Sequence, residues 1–97
     1  MEKLLTILTP THNRGKYLGD IFKVLQQQTN QNFEWMIVDD GSTDNTKEIV
    51  ESFIESNKLR IRYFYKENGG KHTAVNYGLK YISTKLTVIL DSEDRKS

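Results

Sequence analysis

Two adjacent carboxylates, Asp39 and Asp40, follow directly after the apolar run "WMIV". Successive side chains of a β-strand point to opposite sides, so one of the pair is expected to face a ligand while the other binds backbone amides. A carboxylate that accepts an N–H group of a ligand forms a charge-assisted hydrogen bond, which is stronger than a neutral one. The following "GSTDN" also fits an ordinary turn and helix cap, and the pattern leaves both interpretations open.

A second acidic cluster, "DSED", follows the apolar run "LTVIL" near the end of the chain. Hard divalent cations such as Mg²⁺ take oxygen ligands, commonly one or two carboxylates together with phosphate oxygens of the substrate. The cluster therefore indicates a metal site at Asp91, Glu93 and Asp94. A solvated surface segment explains the same residues, so this interpretation also stays open.

Two loops carry further polar side chains. In "NGGKHTAVN", a glycine pair precedes Lys71 and His72 at the start of a predicted helix, whose first amides favour an anion. In "PTHNR", the residues His12, Asn13 and Arg14 could stack on a base, donate hydrogen bonds or reach a phosphate. Both stretches also fit ordinary loops, and "NGGK" lacks the spacing of a Walker-type loop.

The elements that position these residues alternate along the chain. Apolar runs predict strands at Leu4–Thr9, Trp35–Val38, Ile61–Tyr65 and Leu86–Leu90. Apolar residues at helical spacing predict helices over 16–28, around 49–54 and around 75–82, and Asn45 with Glu48 predicts a capping box. Alternation with short connections indicates an α/β fold, with a mostly parallel, Rossmann-like sheet and helices packed on it. In such sheets ligands bind beyond the carboxyl ends of the strands, where the polar clusters are expected to converge.

Composition narrows the possible partners. The chain has 97 residues, which suits one domain, and its net charge of +1 gives no overall field toward nucleic acid or an anionic membrane. The absence of cysteine excludes disulfides and thiolate metal sites. No signal peptide and no apolar run of about 20 residues is present, so we expect a soluble, cytoplasmic chain without a transmembrane segment.

The four stretches "TILTPTHNRGKYL", "QTNQNFEWMIVDDGSTDNT", "NGGKHTAVNYG" and "LDSED", in this order and at this spacing, resemble the amino-terminal half of family 2 glycosyltransferases. The likeness covers almost the whole chain and implies the GT-A fold. Members of this family transfer a sugar from a nucleotide diphosphate donor, commonly a UDP-sugar, to an acceptor hydroxyl with inversion, using Mg²⁺ or Mn²⁺. The resemblance implies a saccharide or lipid-linked acceptor, polysaccharide biosynthesis and a full-length enzyme that can be peripheral to the membrane.

The resemblance also implies roles for individual residues. His12 would lie against the base, Asp40 would recognise the uracil edge, and Asp94 would be the direct metal ligand of a DXD-like motif. The other residues implied at the nucleotide-sugar site are Thr9, Thr11, Asn13, Arg14, Asp39, Lys71, His72, Asp91 and Ser92. Glu93 and Asp91 are implied beside the metal.

Two departures from the family pattern affect these expectations. Glu93 stands where many relatives have Asp, and its longer side chain would alter metal coordination. The chain also stops just after "DSED", whereas the family's general base and acceptor site lie in the following half. We therefore expect residues 1–97 to be a truncated donor-binding portion without transfer activity, which could self-associate through an uncovered sheet edge. The alternatives are a non-catalytic nucleotide-binding or interaction module of the same fold, and a phosphoryl-transfer or receiver-type domain.

Overall fold

The computed structural model describes residues 4–28 and 32–90, and these form a parallel β-sheet with helices on both faces. The strands are β1 (Leu5–Thr11), β2 (Phe33–Asp40), β3 (Ile61–Lys66) and β4 (Leu86–Ile89). The helices are α1 (Gly15–Gln26), α2 (Thr46–Ser56) and α3 (Lys71–Leu79). Strands and helices alternate along the chain, and every strand pair is parallel, which confirms the predicted α/β fold.

The strand order β3-β2-β1-β4 explains which face each helix covers. From β1 to β3 the chain steps in one direction, and α1 and α2 pack against each other on one face. The connection from β3 to β4 crosses back over the sheet, and α3 packs on β1 and β2 from the opposite face. Crossovers of a single hand require this change of face when the direction reverses.

The two central strands, β1 and β2, are buried on both sides, as their continuous apolar runs predict. On the α1–α2 side, Trp35 stacks near Phe22 and Phe53 and donates its indole N–H to Thr9 Oγ1 at 2.9 Å. On the α3 side the core contains Leu8, Met36, Val38 and Ala74. The helices therefore cover the two central strands on both faces of the sheet. The carboxyl ends of β1 and β2 support the loops that follow.

Some local predictions differ from the structure. The predicted capping box at Asn45 is wrong, because Asn45 makes no capping hydrogen bond. Instead, the Asp44 carboxylate accepts hydrogen bonds from the amide and the hydroxyl of Thr46. The inner face of α3 is formed by Ala74 and Gly78, while Leu79 is exposed. Small side chains at these positions let α3 approach the sheet closely.

Strand β4 is an edge strand whose apolar side chains are half exposed, including Leu86, Val88 and Ile89. Among the described residues β4 and β3 form the two edges of the sheet, and self-association through an uncovered edge stays a prediction. Within residues 4–28 and 32–90, none of the helices has the length and apolar character needed to cross a bilayer.

Candidate functional site

A cleft of about 160 Å³ lies at the carboxyl ends of β1 and β2, beside the start of α3. Its lining includes Thr11, His12, Asp40, Asn68 and Lys71. The register brings these residues together, because Thr11 pairs with Asp39 across β1 and β2, and Asp40 pairs with Lys66 across β2 and β3. The carboxyl-end location is the one where parallel sheets bind ligands.

A larger groove of about 510 Å³ lies at the opposite end of the sheet, near Phe33, Lys58 and Arg60. It is a shallow basic surface depression rather than a convergence of polar groups from several loops. The smaller cleft is the stronger candidate, because two loops, a strand end and a helix start all contribute to it.

Asp39 points to the α2 side of the sheet and is completely buried. One carboxylate oxygen accepts the amide of Ser42 at 2.9 Å, and the other accepts the hydroxyl of Tyr63 at 2.5 Å. Burial, followed by the hydrogen bond and the charge of Asp39, raises the pKa of Tyr63 far above its usual value. Tyr63 therefore stays a donor, and the prediction that one carboxylate of the pair binds a backbone amide is confirmed.

Asp40 points to the α3 side, is 3% exposed, and is surrounded by donors of its own chain. One oxygen accepts Lys66 Nζ and the Gly69 amide, both at 2.9 Å. The other accepts the Gly70 amide at 2.8 Å and Asn68 Nδ2 at 3.3 Å. Burial raises the pKa of Asp40, but the hydrogen bonds from Lys66, Gly69 and Gly70 and the Lys66 charge outweigh it, so the net pKa is below 3.8. The carboxylate is therefore ionised at neutral pH.

The close approach of the β3–α3 loop to Asp40 depends on glycine. Gly41 has a φ of +78°, and a Cβ there would lie 2.7 Å from the amide nitrogen of Asn68. Gly70 has a φ of +103° where the loop enters α3. A side chain at Gly41 would force the loop away from the carboxylate, and a side chain at Gly70 would strain the backbone where the loop enters α3. Gly41 of "DDGS" and Gly70 of "NGGK" therefore both permit the contact between the β3–α3 loop and the Asp40 carboxylate.

The ring of His12 is fixed on both of its nitrogens. Its Nδ1 lies 2.8 Å from the carbonyl oxygen of Asp40, and its Nε2 lies 3.3 Å from Nδ2 of Asn13. The Asn13 oxygen accepts the amides of Thr43 and Asp44, which orients the Asn13 NH₂ group toward the ring. This network assigns the Nδ1–H tautomer to His12. The imidazole is thus held by hydrogen bonds as one wall of the cleft.

The other predicted site residues differ in whether they face the cleft. Thr9 lies on the α1–α2 side, because strand alternation turns its hydroxyl toward Trp35. Asn13 joins the β1–α1 loop to the β2–α2 loop, and its amide donates to Ser42 Oγ. Arg14 precedes α1 and lies over the Tyr17 ring. His72 is exposed in the first turn of α3, next to the cleft-lining Lys71.

Asp91, Ser92, Glu93 and Asp94 lie outside the described residues, so their predicted metal and donor contacts remain predictions. The last described residue, Leu90, donates its amide to the carbonyl of Leu8 at 2.9 Å, beside β1. Within the part of the chain that the structure describes, no group of three or more metal-ligating side chains occurs.

Sequence reasoning missed three residues that shape the site: Tyr63, Lys66 and Asn68. Lys66 and Asn68 both contact Asp40, and Tyr63 contacts Asp39. The available signal was the end of the third strand, because a parallel sheet brings the carboxyl end of every neighbouring strand to the same edge. The tyrosines and lysine of "YFYK" looked like ordinary residues of an edge strand.

Comparison with known proteins identifies the family. The sequence pattern of glycosyl transferase family 2 matches residues 6–95. The chain belongs to this family. The predicted resemblance is thereby confirmed, and the polar cleft lies in a family 2 domain rather than in a receiver-type domain.

One similar protein is the glycosyltransferase GlyG of Streptococcus pneumoniae serotype 4, which is 39% identical over 95 residues. The match covers 97% of this chain and 31% of GlyG. The family 2 chain described here thus spans less than a third of that relative.

Two solved structures share the fold. The mannosyltransferase from Pyrobaculum calidifontis, in complex with GDP-Man and Mn²⁺, superposes with a TM-score of 0.84 and 25% identity, over 96% of this chain and 28% of that one. S. aureus TarS 1–349, in complex with UDP-GlcNAc, gives a TM-score of 0.80 and 31% identity, over 93% of this chain and 26% of that one. Both neighbours hold nucleotide sugars.

Proposed function

We propose that the cleft binds the nucleotide of a sugar-nucleotide donor, a UDP-sugar, as part of an inverting, metal-dependent glycosyltransferase. The observation that carries this proposal is the pairing of a fixed imidazole, His12, with an ionised carboxylate, Asp40, at one strand-end cleft of a family 2 chain. The nucleotide-sugar complexes of the two structural neighbours support it.

His12 and Asp40 divide the recognition of the base between them. The hydrogen-bonded ring of His12 offers a surface for stacking, while Asp40 accepts the N–H group of uracil. The donor that uracil replaces is Asn68 Nδ2, whose 3.3 Å contact is the longest around the carboxylate. Asn68 is exposed, and its displacement would also break the 2.9 Å hydrogen bond from Asn68 Nδ2 to the carbonyl oxygen of Asp40. Cytosine presents an acceptor at the corresponding position, so the hydrogen bond from the ring N–H group to Asp40 would be lost.

The remaining residues of the cleft extend the site toward the diphosphate. Lys71 lines the cleft at the start of α3, where its charge and the helix amides favour an anion. Thr11 lines the nucleoside end, and His72 lies beside Lys71. Asp39 does not line the cleft and binds Ser42 and Tyr63 on the α2 side, so its proposed role is to shape the β2–α2 loop rather than to contact the nucleotide.

The "DSED" stretch is the proposed holder of Mg²⁺ or Mn²⁺, with Asp94 as the direct ligand and Glu93 and Asp91 beside it. Carboxylate oxygens are suitable ligands for both ions. When bound, the ion would act as a Lewis acid that neutralises charge on the departing diphosphate. Ser92 would lie near the donor in the same stretch.

The acceptor in this proposal is a hydroxyl of a saccharide or a lipid-linked saccharide. Inverting transfer requires a general base that deprotonates this hydroxyl, and none of the cleft residues described above is assigned that role. We therefore expect these 97 residues to bind donor nucleotide and to transfer no sugar on their own.

Isothermal titration of UDP, with and without Mn²⁺, tests the proposal. We expect binding that Mn²⁺ strengthens, that Asp40→Ala abolishes, and that loses its Mn²⁺ dependence in Asp94→Ala. Glu67→Ala is the matched control, because Glu67 is an exposed acidic side chain of the neighbouring loop. CDP should bind more weakly than UDP. Absence of UDP binding under every condition would contradict the proposal and favour a non-catalytic interaction module of the same fold.

A further inference from the structure

Lys66, the last residue of β3, connects three elements around the cleft. Its Nζ donates to Asp40 Oδ1 at 2.9 Å, to the carbonyl of Glu67 at 2.5 Å and to Thr73 Oγ1 at 3.1 Å. A lysine ammonium has three N–H donors, so these three acceptors use all of them. The Lys66 side chain is 18% exposed, which leaves it little freedom to move.

The contacts of Lys66 belong to a closed circuit of hydrogen bonds. Thr73 Oγ1, which accepts from Lys66, donates to the carbonyl of Gly70 at 2.7 Å. The amide of Gly70 donates to Asp40 Oδ2 at 2.8 Å. The circuit therefore runs from one carboxylate oxygen through Lys66, Thr73 and Gly70 to the other carboxylate oxygen, and it joins the end of β2 to the first turn of α3.

We propose that Lys66 is a positioning residue of the nucleotide site, which holds the Asp40 carboxylate and the first turn of α3 in one arrangement. This inference rests on the proposed nucleotide-binding function. Its consequence is that base recognition at Asp40 and donor contact at Lys71 depend on the same lysine, although Lys66 itself does not line the cleft. Loss of Lys66 would remove the only charged donor among the four described donors that hold the carboxylate, and would release Thr73 from β3.

The protonation of Asp40 gives a readout that a purely structural role of Lys66 would not change. Burial raises the pKa of Asp40, and Lys66 contributes both a hydrogen bond and a charge that lower it. Removing the lysine leaves the burial in place, so the pKa of Asp40 should rise. The other ionisable groups facing Asp40 are His12 from the β1–α1 loop and Lys71 from α3, while Asp39 lies on the opposite side of the sheet.

The test compares Lys66→Met and Lys66→Arg with Lys80→Met as the matched control, because Lys80 is exposed and lies over the Tyr77 ring away from the cleft. Carbon-detected NMR follows the titration of the Asp40 carboxyl group directly, which separates it from His12. We expect a higher Asp40 midpoint in Lys66→Met and a midpoint close to wild type in Lys66→Arg and Lys80→Met.

UDP affinity is measured for the same variants at neutral and at mildly acidic pH. Loss of a charged hydrogen-bonding partner predicts an affinity about tenfold lower or more in Lys66→Met, with a larger loss at acidic pH and substantial recovery in Lys66→Arg. An unchanged Asp40 midpoint in Lys66→Met, or UDP binding equal to wild type at both pH values, overturns the inference.

Thr73→Val provides a second variant if Lys66→Met does not fold. It breaks the circuit at the hydroxyl while leaving the ion pair between Lys66 and Asp40 in place. We expect weaker UDP binding with an unchanged Asp40 midpoint, and UDP affinity equal to wild type would count against the inference.

The two proposals fail in different ways. If wild-type protein binds no UDP but Lys66→Met raises the Asp40 midpoint and speeds amide exchange at Gly70, the nucleotide-binding function is wrong and the Lys66 coupling holds. If wild type binds UDP and Lys66→Met binds it equally well, the function stands and the positioning role is wrong.

Discussion

The two carboxylates at the end of β2 have different surroundings on the two sides of the sheet. On the α2 side, Asp39 is fully buried and bound by Tyr63 and the Ser42 amide. On the α3 side, Asp40 reaches the wall of a cleft and is held by donors of a glycine-rich loop. Two identical residues, adjacent in sequence, thus have a structural role on one side and a proposed binding role on the other. The surrounding elements, rather than the residue type, create this difference.

The two sides of the sheet also differ in the size of the side chains that pack between sheet and helices. Stacked aromatic rings, Phe22, Trp35 and Phe53, fill the α1–α2 side and fix the helices at a distance from the sheet. On the α3 side, Ala74 and Gly78 face the sheet, and a Cβ on Gly78 would lie 2.7 Å from Leu8 Cδ1. Close approach on this side brings the first turn of α3 to the cleft. Changes on the α1–α2 side should therefore affect stability, and changes in the cleft should affect binding.

The largest expected effect is on stability, from Trp35→Ala. This substitution removes a fully buried ring and leaves the Thr9 hydroxyl without its indole donor. Replacements of this kind cost about 3–5 kcal/mol in the free energy of unfolding, which urea denaturation measures. Trp35→Phe should cost less, because it keeps an aromatic ring beside the stacked pair of Phe22 and Phe53. Equal stability of Trp35→Ala and wild type would contradict the assigned core.

Asp39→Ala should lower the free energy of unfolding by about 1–3 kcal/mol, because it leaves the half-buried Tyr63 hydroxyl and the Ser42 amide without an acceptor. The folded fraction should bind UDP as wild type does, since Asp39 lies on the other side of the sheet from the cleft. Urea denaturation and isothermal titration measure the two quantities. Lost affinity at unchanged stability would reverse the proposed roles of the two carboxylates.

His12→Ala should weaken UDP binding more than it lowers stability, the reverse of the result expected for Asp39→Ala. Loss of a stacking ring is expected to weaken UDP binding by about 1–3 kcal/mol, as for other base–aromatic contacts. The free energy of unfolding should fall by about 1 kcal/mol or less, because His12 is partly exposed and the Asp40 carbonyl oxygen beside its Nδ1 also accepts Asn68 Nδ2. His12→Phe retains a ring and should recover part of the affinity. An equal loss of affinity in His12→Phe and His12→Ala would show that stacking is not the contribution of His12.

The smallest effect distinguishes the two neighbouring residues before α2. Asp44→Ala removes the acceptor of the Thr46 amide and should cost about 1 kcal/mol of stability. Asn45→Ala should leave the thermal midpoint nearly unchanged, because Asn45 makes no capping hydrogen bond. A larger loss in Asn45→Ala than in Asp44→Ala would restore the capping box that the sequence predicts.

The fold was predictable from periodicity, because the buried runs around Ile7 and Ile37 and the helical stripe at Leu18 are long and regular. The convergence of His12, Asp40 and Lys71 on one cleft also followed from parallel strand topology. The donors around Asp40 were not predictable, because they depend on the register between β2 and β3 and on backbone amides that carry no sequence signal. The side of the sheet that Thr9 faces required the position of Trp35 as well.

The central claim is that the carboxyl-end cleft, rather than the basic groove near Arg60, is the nucleotide site. An NMR titration of isotope-labelled protein with UDP in the presence of Mg²⁺ tests it most directly, because every backbone amide except that of Pro10 reports separately. We predict the largest chemical-shift changes at the amides of His12, Gly69 and Gly70, with those of Lys58 and Arg60 unmoved. Changes centred on Lys58 and Arg60, with the β3–α3 loop unaffected, would contradict the account.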